Sequence, residues 1–146
     1  MKLAVDEMLG TDGIASDGEG REIVKMLAEL PDLWDVNVSG WENDSATSQF
    51  TDEGYQTDYV RFVKELTTKS VVGVGRFTSP DTMVSLVKNG VLDLIGAALP
   101  LIADLFLPKK TAEGRVEGIR ECIGCNICVT TDFFASNASN TKPNNG

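Results

Sequence analysis

The chain has 146 residues, is 42% hydrophobic and carries a net charge of −9. That is enough apolar material for one globular domain, and it argues against wholesale disorder. The surplus negative charge repels phosphate backbones and so disfavours a nucleic-acid partner. The absence of histidine excludes Ser-His and Cys-His nucleophilic catalysis within this chain, and histidine-rich zinc sites with it.

In chain order, Leu3 to Asp6 is a candidate strand. This N-terminal stretch lacks the apolar core of a signal peptide, so a cytoplasmic protein is expected. Between Gly20 and Leu30, the residues Ile23, Val24, Leu27 and Leu30 recur at helical spacing, and Pro31 stops the run. Leu33 to Val38 reads as a strand closed by Ser39 and Gly40. A polar stretch from Trp41 to about Gln56 follows, long enough for a functional loop.

Tyr59, Phe62, Val63 and Leu66 mark a second amphipathic helix, and Ser70 to Gly75 is a buried-strand run. Ser79 and Pro80 start the next helix, as cap and first residue. That helix is expected to turn Met83, Val84 and Val87 inward and to end at Asn89 and Gly90. Val91 to Ala98 is an apolar strand, and a helical piece is expected from Ile102 to about Glu113. Asp93, Pro100 and Asp104 interrupt the apolar stretch from Val91 to Leu107, so it does not read as a membrane span.

Alternating strands and helices of this kind form parallel βα units. An open doubly wound sheet and a (βα)8 TIM barrel both satisfy the pattern. A full barrel needs eight strands, so a barrel would be partial here. The organisation expected is an α/β unit over 1–114, a cysteine segment over 115–129 and a disordered Asn/Ser-rich tail over 130–146.

Three segments carry chemistry. Cys122, Cys125 and Cys128 are the only cysteines and form a C-x2-C-x2-C loop. Thiolates at that spacing converge on an iron–sulfur cluster, and Gly124 permits the turn between them. The second cysteine pair or histidines usual for zinc are missing. No fourth cysteine follows: a ferredoxin-like closure would place one where Asp132 stands. The second segment is the strand ending in Gly73, Val74, Gly75 and Arg76, where glycine amides and a guanidinium can receive a phosphate. The strand ending in Ile95, Gly96, Ala97 and Ala98 closes in the same way. Packing alone is the competing explanation for these glycines. In the third segment, Trp41 and Asp44 pair an aromatic face with a carboxylate, as a cationic ligand requires, although a solvated loop reads the same.

The segments Val71 to Phe77, Leu92 to Ala98, Ile102 to Asp104, Phe106 to Lys110 and Ile119 to Cys128 occur in this order. Together they resemble the trimethylamine/dimethylamine dehydrogenase branch of the old yellow enzyme family. The resemblance spans roughly residues 1 to 129. It implies an FMN-binding (βα)8 barrel followed by a 4Fe-4S segment. Such enzymes pass a hydride equivalent from a small-molecule substrate to FMN, then single electrons to the cluster and to a carrier such as an electron-transfer flavoprotein.

Carried over, Gly75 and Arg76 contact the FMN phosphate, with Ala98 beside them at the cofactor, and Lys2 lies near the flavin ring. Trp41 lines the substrate pocket, Asp44 is the active-site carboxylate, and Cys122, Cys125 and Cys128 are cluster ligands. The family reads Ala-Arg-Pro where this chain has Ala98, Leu99 and Pro100, so the phosphate arginine is replaced by Leu99. The reaction implied is oxidation of a small amine or reduction of an activated alkene. The alternative is an inactive fragment, or a non-enzymatic metal-binding or interaction module that pairs with itself as a homo-oligomer.

Overall fold

The computed structural model describes residues 1–38, 40 and 50–128. Trp41, Asp44 and the tail from residue 129 onward lie outside the described residues. The elements are β1 (Lys2–Asp6), α1 (Glu19–Leu27), β2 (Leu33–Val38), α2 (Thr57–Val60), α3 (Phe62–Leu66), β3 (Ser70–Gly73), α4 (Pro80–Lys88), β4 (Leu94–Ile95), α5 (Ala98–Ala103) and α6 (Leu107–Ala112). The four strands form one sheet in the order β1-β2-β3-β4, and every neighbouring pair is parallel. Helices connect them, as parallel pairing requires.

One face of the sheet packs against the helices. Val5, Trp34, Val36 and Val71 on the strands are fully buried against Val24, Val60, Phe62 and Val63. The Trp34 indole nitrogen donates to the Ala28 carbonyl at 3.0 Å, so the ring is buried without an orphaned donor. The opposite face carries the row Lys2, Asp35, Val72 and Leu94, which the register places side by side. Leu94 is 49% exposed there. Parallel sheets are stable when both faces are covered, and this face is covered only in part: Asn37 is buried on it, whereas Lys2 and Leu94 are exposed.

Several elements depart from the sequence reading, each for a local reason. Leu30, expected inside, is 77% exposed. The helix has ended at Leu27 ahead of Pro31, so the helical phase no longer applies to it. In α4, Met83 and Leu86 pack on the core, whereas Val84 and Val87 are 40% and 42% exposed. Met83 turns inward as expected, and Leu86 joins it in place of Val84 and Val87. The expected helix around Tyr59 to Leu66 is two short pieces that meet at Arg61.

The apolar run from Val91 pairs as a strand only at Leu94 and Ile95. Asp93 accounts for this: its carboxylate accepts the Val71 amide at 2.8 Å and pairs with Lys64 at 2.8 Å. Leu92 is turned into the core over Gly73, where a Cβ would stand 2.6 Å from its methyl groups. The helix expected from Ile102 is split into α5 and α6 around Asp104.

Candidate functional site

The C-terminal ends of β3 and β4 lie side by side, joined beyond the strands by the Gly96 amide donating to the Gly73 carbonyl at 2.9 Å. In parallel barrels this end of the sheet carries the chemistry. Past β3 the chain turns through Gly75 (φ 150°) and Arg76 (φ 58°), both in left-handed territory. A non-glycine residue there is strained and persists only when its surroundings hold it. Phe77, 1% exposed, fixes the far side.

The stretch that approaches from β2 supplies the rest of the hold. The Gly54 amide donates to the Gly75 carbonyl at 2.6 Å, and Arg76 Nη1 donates to the Thr51 carbonyl at 2.8 Å. A Cβ on Gly75 would come within 3.3 Å of the Gln56 amide nitrogen, so the glycine also serves close approach. Gln56 is fully buried, and its side-chain oxygen accepts the Val38 amide at 3.0 Å. The ends of β2 and β3 are thereby tied through one short stretch.

Arg76 Nε is buried and has no hydrogen-bond partner among the described residues. A buried cationic donor without an acceptor is expensive, and a phosphate oxygen is the natural acceptor for it. The residues present therefore fit the phosphate of a flavin mononucleotide. Ala98 is exposed at the start of α5, and Leu99 is half-buried beside it. Lys2 is exposed on the partly covered sheet face at the opposite end of the strands: it is level with Val72, three residues before Gly75, a rise of roughly 10 Å. The structure brings Gly75, Arg76 and the β4 end together, and leaves Lys2 apart from them.

The three cysteines are free thiols. Gly124 (φ 66°) and Asn126 (φ 56°) both adopt the left-handed conformation, so the backbone reverses between successive thiols. The donor chemistry suits three corners of a 4Fe-4S cluster. In this structure, among the described residues, no three His, Cys, Asp or Glu side chains gather closely enough to hold a metal ion.

Asp104 roots that segment. It is 5% exposed, and one oxygen receives both Lys110 Nζ at 2.6 Å and the Arg120 amide at 2.9 Å. The other oxygen accepts the Phe106 amide at 3.0 Å. The Lys110 hydrogen bond, then the Arg120 amide, hold its pKa down at about 2. Asp6, at the end of β1, is a second such hub. Burial works to raise its pKa, but hydrogen bonds from the Ser16 and Met8 amides and the Ser16 hydroxyl outweigh it and leave the pKa lowered.

The sequence reading missed Glu53, Gln56 and Asp104 as organisers of the site. Asp104 had a signal, a single carboxylate inside an apolar run. Glu53 and Gln56 had none, because a polar loop residue looks the same whether or not it folds back.

Comparison with known proteins follows the same lines. A family model described as the NADH:flavin oxidoreductase / NADH oxidase family matches residues 1–117. The chain is 42% identical over 132 residues to dimethylamine dehydrogenase of Hyphomicrobium sp. (strain x), a match covering 88% of this chain and 18% of that protein. Histamine dehydrogenase from Rhizobium sp. 4-9 superposes with a TM-score of 0.85 at 55% identity, over 92% of this chain and 19% of that one. The 6-hydroxypseudooxynicotine amine oxidase of Pseudomonas geniculata N1 superposes with a TM-score of 0.87 at 52% identity, over 92% of this chain and 20% of that one. These neighbours are TIM-barrel enzymes, and this chain corresponds to part of the barrel. It spans about a fifth of the length of the relatives it matches.

Proposed function

The chain belongs to the NADH:flavin oxidoreductase / NADH oxidase family, and from that premise we propose that it supplies the flavin-phosphate end and the iron–sulfur segment of an amine-oxidising flavoenzyme. The observation that carries this reading is the buried Nε of Arg76, unpartnered among the described residues, beside the left-handed Gly75 turn. Two of the relatives are named for the dehydrogenation of amines, which favours a small amine over an activated alkene as substrate.

When bound, FMN supplies hydride acceptance and single-electron release. The chain's own residues bind and orient. Gly75 lets the backbone approach the phosphate, and Arg76 offers it a charge-assisted hydrogen bond. Ala98 borders the same end of the sheet. Lys2, exposed at the far end of the strands, is left to act at the ring rather than the phosphate. Trp41 and Asp44 are assigned the substrate: an aromatic face and a carboxylate together hold a protonated amine.

Cys122, Cys125 and Cys128 would hold three irons of a 4Fe-4S cluster, with Asp104 anchoring the chain at Arg120, two residues before the first thiol. Electrons would leave to a carrier such as an electron-transfer flavoprotein. Further strands, from another part of a longer chain or from a second copy, would complete the barrel by pairing at the sheet edges, β1 and β4. The cytoplasm suits free thiols, and among the described residues no helix is long and apolar enough to cross a membrane.

Leu99 favours a second reading, in which the chain keeps the family's sequence without holding flavin. Anaerobic reconstitution with FMN, iron and sulfide, followed by gel filtration and analysis of the protein fraction, separates the two. Co-eluting FMN with iron and sulfide supports the first reading. A colourless chain, free of all three, supports the second.

A further inference from the structure

The turn that follows β3 is held from outside by three residues of one short stretch, Thr51, Glu53 and Gly54. Thr51 accepts Arg76 Nη1 through its carbonyl, and the Gly54 amide donates to the Gly75 carbonyl. Between them, Glu53 reaches the other end of the same turn. Its Oε1 accepts the Thr78 amide at 2.5 Å and the Ser79 amide at 2.7 Å. Its Oε2 accepts the Thr82 hydroxyl at 2.8 Å.

This carboxylate sits just ahead of α4, whose own first amides are already capped: the Asp81 and Thr82 amides donate to Ser79 Oγ at 3.2 and 3.5 Å. Glu53 therefore occupies the anion-favouring position before the helix. A phosphate is left with the Gly75–Arg76 side of the turn, where the unpartnered Nε lies. The side chain of Glu53 is committed to three donors of the turn and its helix, so it has no direct part in binding flavin or substrate.

We infer that Glu53 is a positioning residue for the flavin phosphate: it fixes the 75–79 turn so that Gly75 and Arg76 meet a phosphate in one arrangement. The inference rests on the FMN reading above.

The test separates phosphate from ring. FMN and riboflavin share the ring, and only FMN carries the phosphate. Quenching of flavin fluorescence gives the affinity of the full chain for each. The native chain should prefer FMN by at least tenfold. Glu53→Gln should lose most of that preference while its riboflavin affinity stays within twofold of native. Thr82→Val, which removes one donor only, should lose part of the preference in the same direction, and it serves if Glu53→Gln does not fold. In the flavin-free protein, hydrogen exchange at the Thr78 and Ser79 amides should accelerate in Glu53→Gln. An unchanged FMN preference in both variants overturns the inference, as does an equal loss for both flavins, which marks a scaffold role alone. A native chain that binds neither flavin overturns the FMN reading, and this one with it.

Discussion

The Gly54 amide and the Gly75 carbonyl meet at 2.6 Å, joining the stretch after β2 to the turn after β3. The bond closes on a glycine whose φ is 150° and whose missing Cβ leaves room for the Gln56 backbone. Gly75→Ala should destabilise the chain by about 1–2 kcal/mol through backbone strain. Urea unfolding followed by circular dichroism measures it. A midpoint equal to that of the native chain would show that the turn is not strained as described.

Leu99 stands at the second residue of α5, half-buried beside the end of β4. An apolar side chain contributes nothing to a phosphate, whereas a guanidinium donates a charge-assisted fork. Leu99→Arg should tighten FMN binding roughly tenfold, about 1.4 kcal/mol. Unchanged FMN retention would count against a phosphate site at this end of the sheet.

The Asp104 carboxyl, lowered from 3.8 to about 2 by Lys110 and the Arg120 amide, makes stability depend on acid. A depressed folded-state pKa stabilises the fold in full above the unfolded value, and the contribution disappears as pH falls through the folded value. The margin by which the native chain exceeds Asp104→Asn in stability should therefore be constant well above pH 3.8, fall as pH drops from there, and lose its pH-dependent part below about pH 2. Denaturant midpoints across that range check it. A margin that does not change with pH would mean that the carboxylate charge is not what anchors Arg120.

Much of the fold was legible because it rests on local signals. Leu33–Val38 appears at the expected bounds, and the Ser79–Pro80 start of α4 is realised with Ser79 as the capping side chain. The failures were tertiary. Asp93 captures the Val71 amide and shortens β4, and no periodicity reports a carboxylate that competes with a strand. In α4, Met83 packs inward as expected, but packing chose Leu86 as its companion over Val84 and Val87. At the site, Gly75 and Arg76 were legible because glycine followed by arginine at a strand end has a backbone meaning. Glu53 was not, since its role exists only once the loop has folded onto Thr78 and Ser79. Trp41 and Asp44 were named from sequence and lie outside the described residues.

Titration of FMN into the native chain and into Arg76→Leu shows whether Arg76 receives a phosphate. Removing a charged hydrogen-bond partner of this kind costs about 1.5–3 kcal/mol. The Arg76→Leu chain should thus bind FMN roughly ten- to hundredfold more weakly than the native chain. Equal FMN affinity in the two would contradict the account.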